Sequence, residues 1–233
     1  MLSGHPDVVV LEEEPAIDRV AEKLGSIERL PHLSVREIEA LRVCYFDQVE
    51  QVAPNATGKL IVDKHPLGLG SAPLLYRLFP DARFVFTERH PYDVILSCYM
   101  TSSDMDLKLA DFYNFEGIAL LYDRVLSFWE KCRAVLPMNI YTVRYERLLT
   151  DPAAELKTLA GFAGLDWNEA MLDHKASVAE RGYIGSPSYA QVSEPLYMRA
   201  NGRWLKYRQH MHSIDPIIEP WLKKLGYADN DIR

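Results

Sequence analysis

Residues 83–100 read RFVFTERHPYDVILSCYM. The apolar, β-rich half of this stretch stops at Glu88-Arg89, His90-Pro91 turns the chain, and from about Tyr92 the spacing becomes helical. Two more short β-rich segments, Leu60 to Val62 and Ile140 to Val143, are separated from it by helical sequence. Strands alternating with helices predict a parallel sheet flanked by helices, an α/β fold. Downstream, Phe115, Ile118, Tyr122, Val125, Trp129 and Cys132 recur at steps of three and four, which predicts one long core-facing helix ending before Pro137. Asp151-Pro152 is an N-cap followed by proline at the first helical position. Leu156, Leu159 and Ala163 supply that helix's buried face, and Gly164 suits its stop. A last helix is expected from about Pro216 to Leu225, closed by Gly226, and Arg181 to Pro195 reads as a long surface loop.

With 233 residues and 48% hydrophobic content, the chain can bury one sizeable core, so residues 1–233 are expected to form a single domain. No run of about eighteen apolar residues occurs, and the N-terminus lacks the basic and apolar regions of a signal peptide. The expectation is a cytoplasmic protein without a membrane span. A formal charge of −7 argues against general nucleic-acid binding, so an anionic ligand would need a local positive pocket. Cys44, Cys98 and Cys132 are odd in number and widely spaced, and they read as reduced, buried core thiols. The seven histidines show no metal-ligand spacing, and no metal is expected.

Ligands of parallel sheets bind at the carboxyl ends of strands, and Arg89 stands at such an end. Its guanidinium can make two parallel charge-assisted bonds to a phosphate, with Ser97 on the following helix adding a hydroxyl. An arginine and a serine at this spacing are equally compatible with a plain ion pair to a nearby carboxylate. What distinguishes them is the order of the segments around them: Lys64-His65-Pro66, then LYRLFPDARFVFTERHPYDVILSCYM, then VRYERLLTDPAAELKTLAGFAGL.

That succession resembles the sulfotransferases that use 3′-phosphoadenosine 5′-phosphosulfate (PAPS). It looks closest to the bacterial branch linked to tetratricopeptide repeats and, more distantly, to the tyrosylprotein sulfotransferases. The resemblance runs from about His5 to Trp204 and is strongest over Leu60 to Met100. It implies a P-loop-like three-layer fold, PAPS as co-substrate, adenosine 3′,5′-bisphosphate as product, and an acceptor hydroxyl, phenol or amine. By the same resemblance Arg89 and Ser97 hold the 3′-phosphate, and Tyr145 lies near the adenine. Ser188, Gln191 and Arg203 belong to a C-terminal cofactor loop that would otherwise read as a tyrosine-rich surface loop. Lys64 matches a lysine that meets the bridging oxygen as it gains charge, a task of positioning and charge stabilisation. For the general base, Glu13 within Glu12-Glu13-Glu14 competes with His65. Successive side chains of extended chain point different ways, which turns His65 from Lys64 and favours Glu13.

Family members open with a strand and a Pro-Arg-Ser-Gly-Thr-Thr loop whose backbone N–H groups hold the 5′-phosphosulfate. No such sequence stands here, and Gly68-Leu-Gly70-Ser71 lies too far along to replace it. The expectation is a domain with its first, central strand and phosphate loop missing, Met1 not being the natural start. Such a chain is expected to bind nucleotide poorly and to transfer little sulfate. Two further readings stay open: an inactive nucleotide-binding or interaction protein derived from a sulfotransferase, and a P-loop kinase relative. The last is disfavoured because no Gly-x4-Gly-Lys-Ser/Thr occurs.

Overall fold

A computed structural model describes residues 1–101, 114–173 and 200–227. The strands are β1 (Val8–Glu12), β2 (Leu60–Lys64), β3 (Arg83–Glu88) and β4 (Asn139–Arg144). Around them run α1 (Ala16–Leu24), α2 (Val35–Val52), α3 (Ala72–Leu78), α4 (Pro91–Thr101), α5 (Phe115–Val135), α6 (Tyr145–Thr150), α7 (Pro152–Ala163) and α8 (Asp215–Lys224). Parallel strands need long crossovers, and helices supply them here. The parallel strands flanked by helices are those expected, and β2, β3 and β4 lie where the sequence put them.

The strands form two parallel pairs. β1 lies beside β2, from Val8 opposite Leu60 to Glu12 opposite Lys64, and β3 beside β4, from Arg83 opposite Asn139 to Glu88 opposite Arg144. Among the described residues these are separate two-stranded sheets, with no strand bonded to the second edge of β2 or of β3. Two-stranded sheets are marginal alone, so the helices must stabilise them. β1 is not among the strands expected from the sequence. Val8 and Leu11 are buried three residues apart, one on each face of the strand.

Local signals set the helix ends. Ser34 and Glu37 form a reciprocal capping box at the start of α2, which buries Ile38, Leu41, Tyr45 and Val49. Asn114 caps α5 by accepting from the Gly117 N–H at 2.7 Å, and Asp151 caps α7 by accepting from Ala154 N–H at 3.0 Å. α7 stops at Gly164, whose φ of 74° is left-handed. Within the α5 stripe, Ile118, Trp129 and Cys132 are fully buried. Of the three thiols only Cys132 is: Cys44 and Cys98 are half-buried, because their helices turn them toward the core's margin.

The core has distinct parts. Leu11, Val20, Leu41 and Leu78 centre the packing of α1, α2 and α3 on the β1–β2 pair. Phe86, Trp129 and Trp221 pack α5 and α8 on β3, and Tyr92, Ile95, Trp204 and Ile218 join α4 to the C-terminal region. The start of the chain is also tied down. The turn Leu2–Gly4 approaches Ala170 so closely that a Cβ on Gly4 would lie 2.3 Å from its carbonyl oxygen. His5 is buried, its Nδ1 accepting from Asp7 N–H at 3.1 Å, which leaves Nε2 to donate to the Asp166 carbonyl at 3.1 Å.

Candidate active site

At the carboxyl end of the first pair, Glu13 follows the rung formed by Glu12 and Lys64. Its N–H donates to the Lys64 carbonyl at 2.9 Å, and Lys64 Nζ donates to Glu13 Oε1 at 2.7 Å. Glu13 has φ 60°, and among the described residues it is the one non-glycine with positive φ. A left-handed glutamate costs on the order of 1–3 kcal/mol and persists where its surroundings over-determine it, commonly at functional sites. The two side chains are 44% and 37% exposed, and an ion pair so open to water contributes little to stability. The strained backbone therefore has no evident return in folding energy, which suits chemistry better than scaffolding.

The neighbours of Lys64 point elsewhere. Asp63 accepts from the Tyr45 hydroxyl at 3.0 Å, and burial pushes its carboxyl up. His65 Nε2 lies 4.0 Å from Asp18 Oδ2 on α1. Extended chain thus sends successive side chains to three partners, and His65 is separated from the Glu13–Lys64 pair as expected.

The second pair ends in a denser set of contacts. Arg89 follows β3, and its Cζ lies 5.0 Å from the centroid of the Tyr145 ring, which opens α6 just after β4. Its Nη2 donates to the Ala200 carbonyl at 2.5 Å, while its Nε is buried without a hydrogen-bond partner among the described residues. Ser97 is half-buried on α4, where its carbonyl accepts from Thr101 Oγ1 at 2.9 Å; no hydrogen bond joins it to Arg89. Arg203 is exposed, and Ser188 and Gln191 lie outside the described residues.

Asp93 and Glu146 were not singled out in the sequence. Asp93 is 1% exposed in the first turn of α4, with Oδ2 accepting from Gly202 N–H at 2.7 Å and Oδ1 from Trp204 N–H at 2.9 Å. Burial raises its carboxyl above the ordinary range, opposed by the Trp204 N–H, the Arg89 charge and the Gly202 N–H. Glu146 accepts from His90 N–H and from the Tyr227 hydroxyl, both at 2.9 Å. The last rung of β3–β4 is closed by Glu88 and Arg144, whose Nε donates at 2.8 Å and whose Nη2 also donates to the Leu225 carbonyl. The available signal was position: Asp93 and Glu146 lie in the first turns of α4 and α6, the helices that follow β3 and β4, where site-building residues of parallel sheets collect.

The family model described as "Sulfotransferase family" matches residues 1–169, more than half of the chain. The chain belongs to the sulfotransferase family. Protein-tyrosine sulfotransferase 1 of Danio rerio is 27% identical over 251 residues, covering 97% of this chain and 67% of that protein. The human Protein-tyrosine sulfotransferase 1 is 27% identical over 244 residues, covering 97% of this chain and 65% of that protein. An uncharacterized protein of Aquifex aeolicus is 22% identical over 199 residues, covering 85% of this chain and 26% of that protein. The chain thus spans about two thirds of the tyrosine sulfotransferases it matches and about a quarter of the Aquifex protein. Among solved structures, the sulfotransferase domain from the curacin biosynthetic pathway superposes with a TM-score of 0.66 at 17% identity, over 97% of this chain and 91% of that one. The sulfotransferase domain from the Synechococcus PCC 7002 olefin synthase does so at 0.55 and 23% identity, over 88% and 80%. These likenesses establish the sulfotransferase fold. In this sulfotransferase, Glu13 with Lys64 and Arg89 with Tyr145 are the expected site residues that the fold brings together.

Proposed function

We propose that this protein transfers a sulfuryl group from PAPS to an acceptor hydroxyl, phenol or amine, releasing adenosine 3′,5′-bisphosphate. Relatives named protein-tyrosine sulfotransferases favour the tyrosine phenol among these acceptors. The observation that carries the reading is the Glu13–Lys64 pair, a carboxylate and an ammonium 2.7 Å apart at adjacent strand ends. In the transfer the acceptor oxygen bonds to sulfur, its proton passes to the Glu13 carboxylate, and the sulfur–oxygen bond to the nucleotide breaks. Lys64 is the cation for the oxygen that leaves with the electron pair. Its contact with Glu13 must loosen as it turns to that oxygen.

The buried Arg89 Nε, without a partner among the described residues, fits a site for an anion, since burying a donor unpaired is costly and a phosphate oxygen would satisfy it. Arg89 and Ser97 are assigned to the 3′-phosphate, Tyr145 to the adenine side, and Arg203, with Ser188 and Gln191, to the covering loop. Incubating the purified protein with radiolabelled PAPS and panels of tyrosine peptides, phenols and sugars tests the reading. Label should pass, at a low level, to one acceptor class and be lost in Lys64→Ala and Glu13→Gln. Binding of adenosine 3′,5′-bisphosphate with no transfer to any acceptor would overturn catalysis in favour of nucleotide binding alone.

A further inference from the structure

Asp93 is the most buried carboxylate among the described residues, and nothing in sulfuryl transfer needs it as an acid or base. Both of its oxygens are used on one short piece of backbone, the N–H groups of Gly202 and Trp204. Two residues before Gly202, the Ala200 carbonyl accepts from Arg89. Gly202, at φ 67°, makes the left-handed turn that lets one carboxylate reach both flanking N–H groups. The Trp204 ring then stacks on both aromatic rings beside Arg89, 4.8 Å from His90 and 4.7 Å from Tyr92 between centroids. A closed circuit results: Arg89 holds residue 200, Asp93 holds 202 and 204, and both lie in one turn of chain after β3.

We propose that Asp93 is a positioning residue of the nucleotide site, fixing the 200–204 backbone so that Arg89 is aimed at the 3′-phosphate and Arg203 is presented beside it. This inference rests on the reading of Arg89 as the 3′-phosphate ligand. A charge role would have the opposite sign. Removing a buried negative group next to Arg89 would by Coulomb's law strengthen anion binding, whereas loosening the circuit weakens it. Asp93→Asn keeps the shape but turns an NH2 group toward one of the two N–H donors, so one anchor is lost.

The test is calorimetric titration of the whole protein with adenosine 3′,5′-bisphosphate and with adenosine 5′-monophosphate, which lacks the 3′-phosphate. Asp93→Asn is expected to reduce the preference for the bisphosphate by about tenfold or more, since small misplacements of a charged clamp are that costly. In an Arg89→Ala background it should reduce the preference no further. Asp93→Glu, which keeps the charge and shifts the carboxylate by one methylene, should give a smaller loss and serves if the asparagine variant does not fold. Equal weakening of both nucleotides, additive losses with Arg89→Ala, or tighter bisphosphate binding would each overturn the proposal while leaving the site reading intact. A wild-type protein without any preference for the bisphosphate would overturn both together.

Discussion

Among the described residues Arg89 contacts the Ala200 carbonyl and the Tyr145 ring, with its Nε buried and unpartnered. A guanidinium so placed should dominate affinity for a 3′-phosphate. Arg89→Ala is expected to cost roughly 2–5 kcal/mol of binding to adenosine 3′,5′-bisphosphate, the usual loss when one side of a buried charged pair is truncated. Calorimetry reads this directly, and unchanged affinity would remove Arg89 from the site. The two candidate bases separate in the same way. Glu13 touches Lys64, whereas His65 lies toward Asp18. Glu13→Gln should therefore lower turnover by about a hundredfold or more with little change in nucleotide affinity, within the usual range for a general base. His65→Ala should be mild, and the reverse ranking in steady-state rates would assign the proton to His65.

At the scale of elements, the helix starts are written in capping residues. In α2 the Ser34 hydroxyl accepts from Glu37 N–H at 3.3 Å, while Glu37 Oε2 accepts from Ser34 N–H at 2.9 Å. Ser34→Ala is expected to destabilise the protein by about 1 kcal/mol, measured as a shifted urea midpoint with an unchanged slope. A much larger loss would mean that α2 depends on its cap more than on the packing of Leu41 and Tyr45. The strands behave differently. β3 and β4 were legible because each is an apolar run bounded by turn signals. In β1 the register against β2 decides the matter, and the sequence of β1 does not contain its partner.

Across the whole molecule, the C-terminal region is bound to α4 through Asp215. Its carboxylate accepts from Arg208 Nη1 and Nη2, each at 2.7 Å, and from the Tyr92 hydroxyl at 2.5 Å. Burial alone would raise this carboxyl, but the Arg208, Tyr92 and His212 bonds more than offset it and hold the group below its ordinary value. A depressed folded-state value means that the unfolded chain takes up the proton first as pH falls. The stability that Asp215 contributes is then fully present above the unfolded carboxylate value near pH ~4 and is lost as pH falls through the lower, folded value. Thermal melts from neutral pH into that acid range should show a steeper decline for the wild type than for Asp215→Asn. Parallel curves would place the acid sensitivity elsewhere.

Residues 83–100 by themselves determined a strand, a turn and a helix, because apolar periodicity, a proline at the first helical position and a charged strand end are local properties. The caps at Asp151 and Gly164 and the stripe along α5 were legible for the same reason, and Arg89 stood out as a cation at the end of a strand. Tertiary structure alone decided which groups meet. Glu13 reaches Lys64 only because β1 and β2 run in parallel and in register, and Asp93 reaches Gly202 and Trp204 only because residues far along the chain fold back on α4. Contacts between residues distant in sequence depend on packing and on where each backbone donor finds its acceptor, and no window of local sequence contains that information.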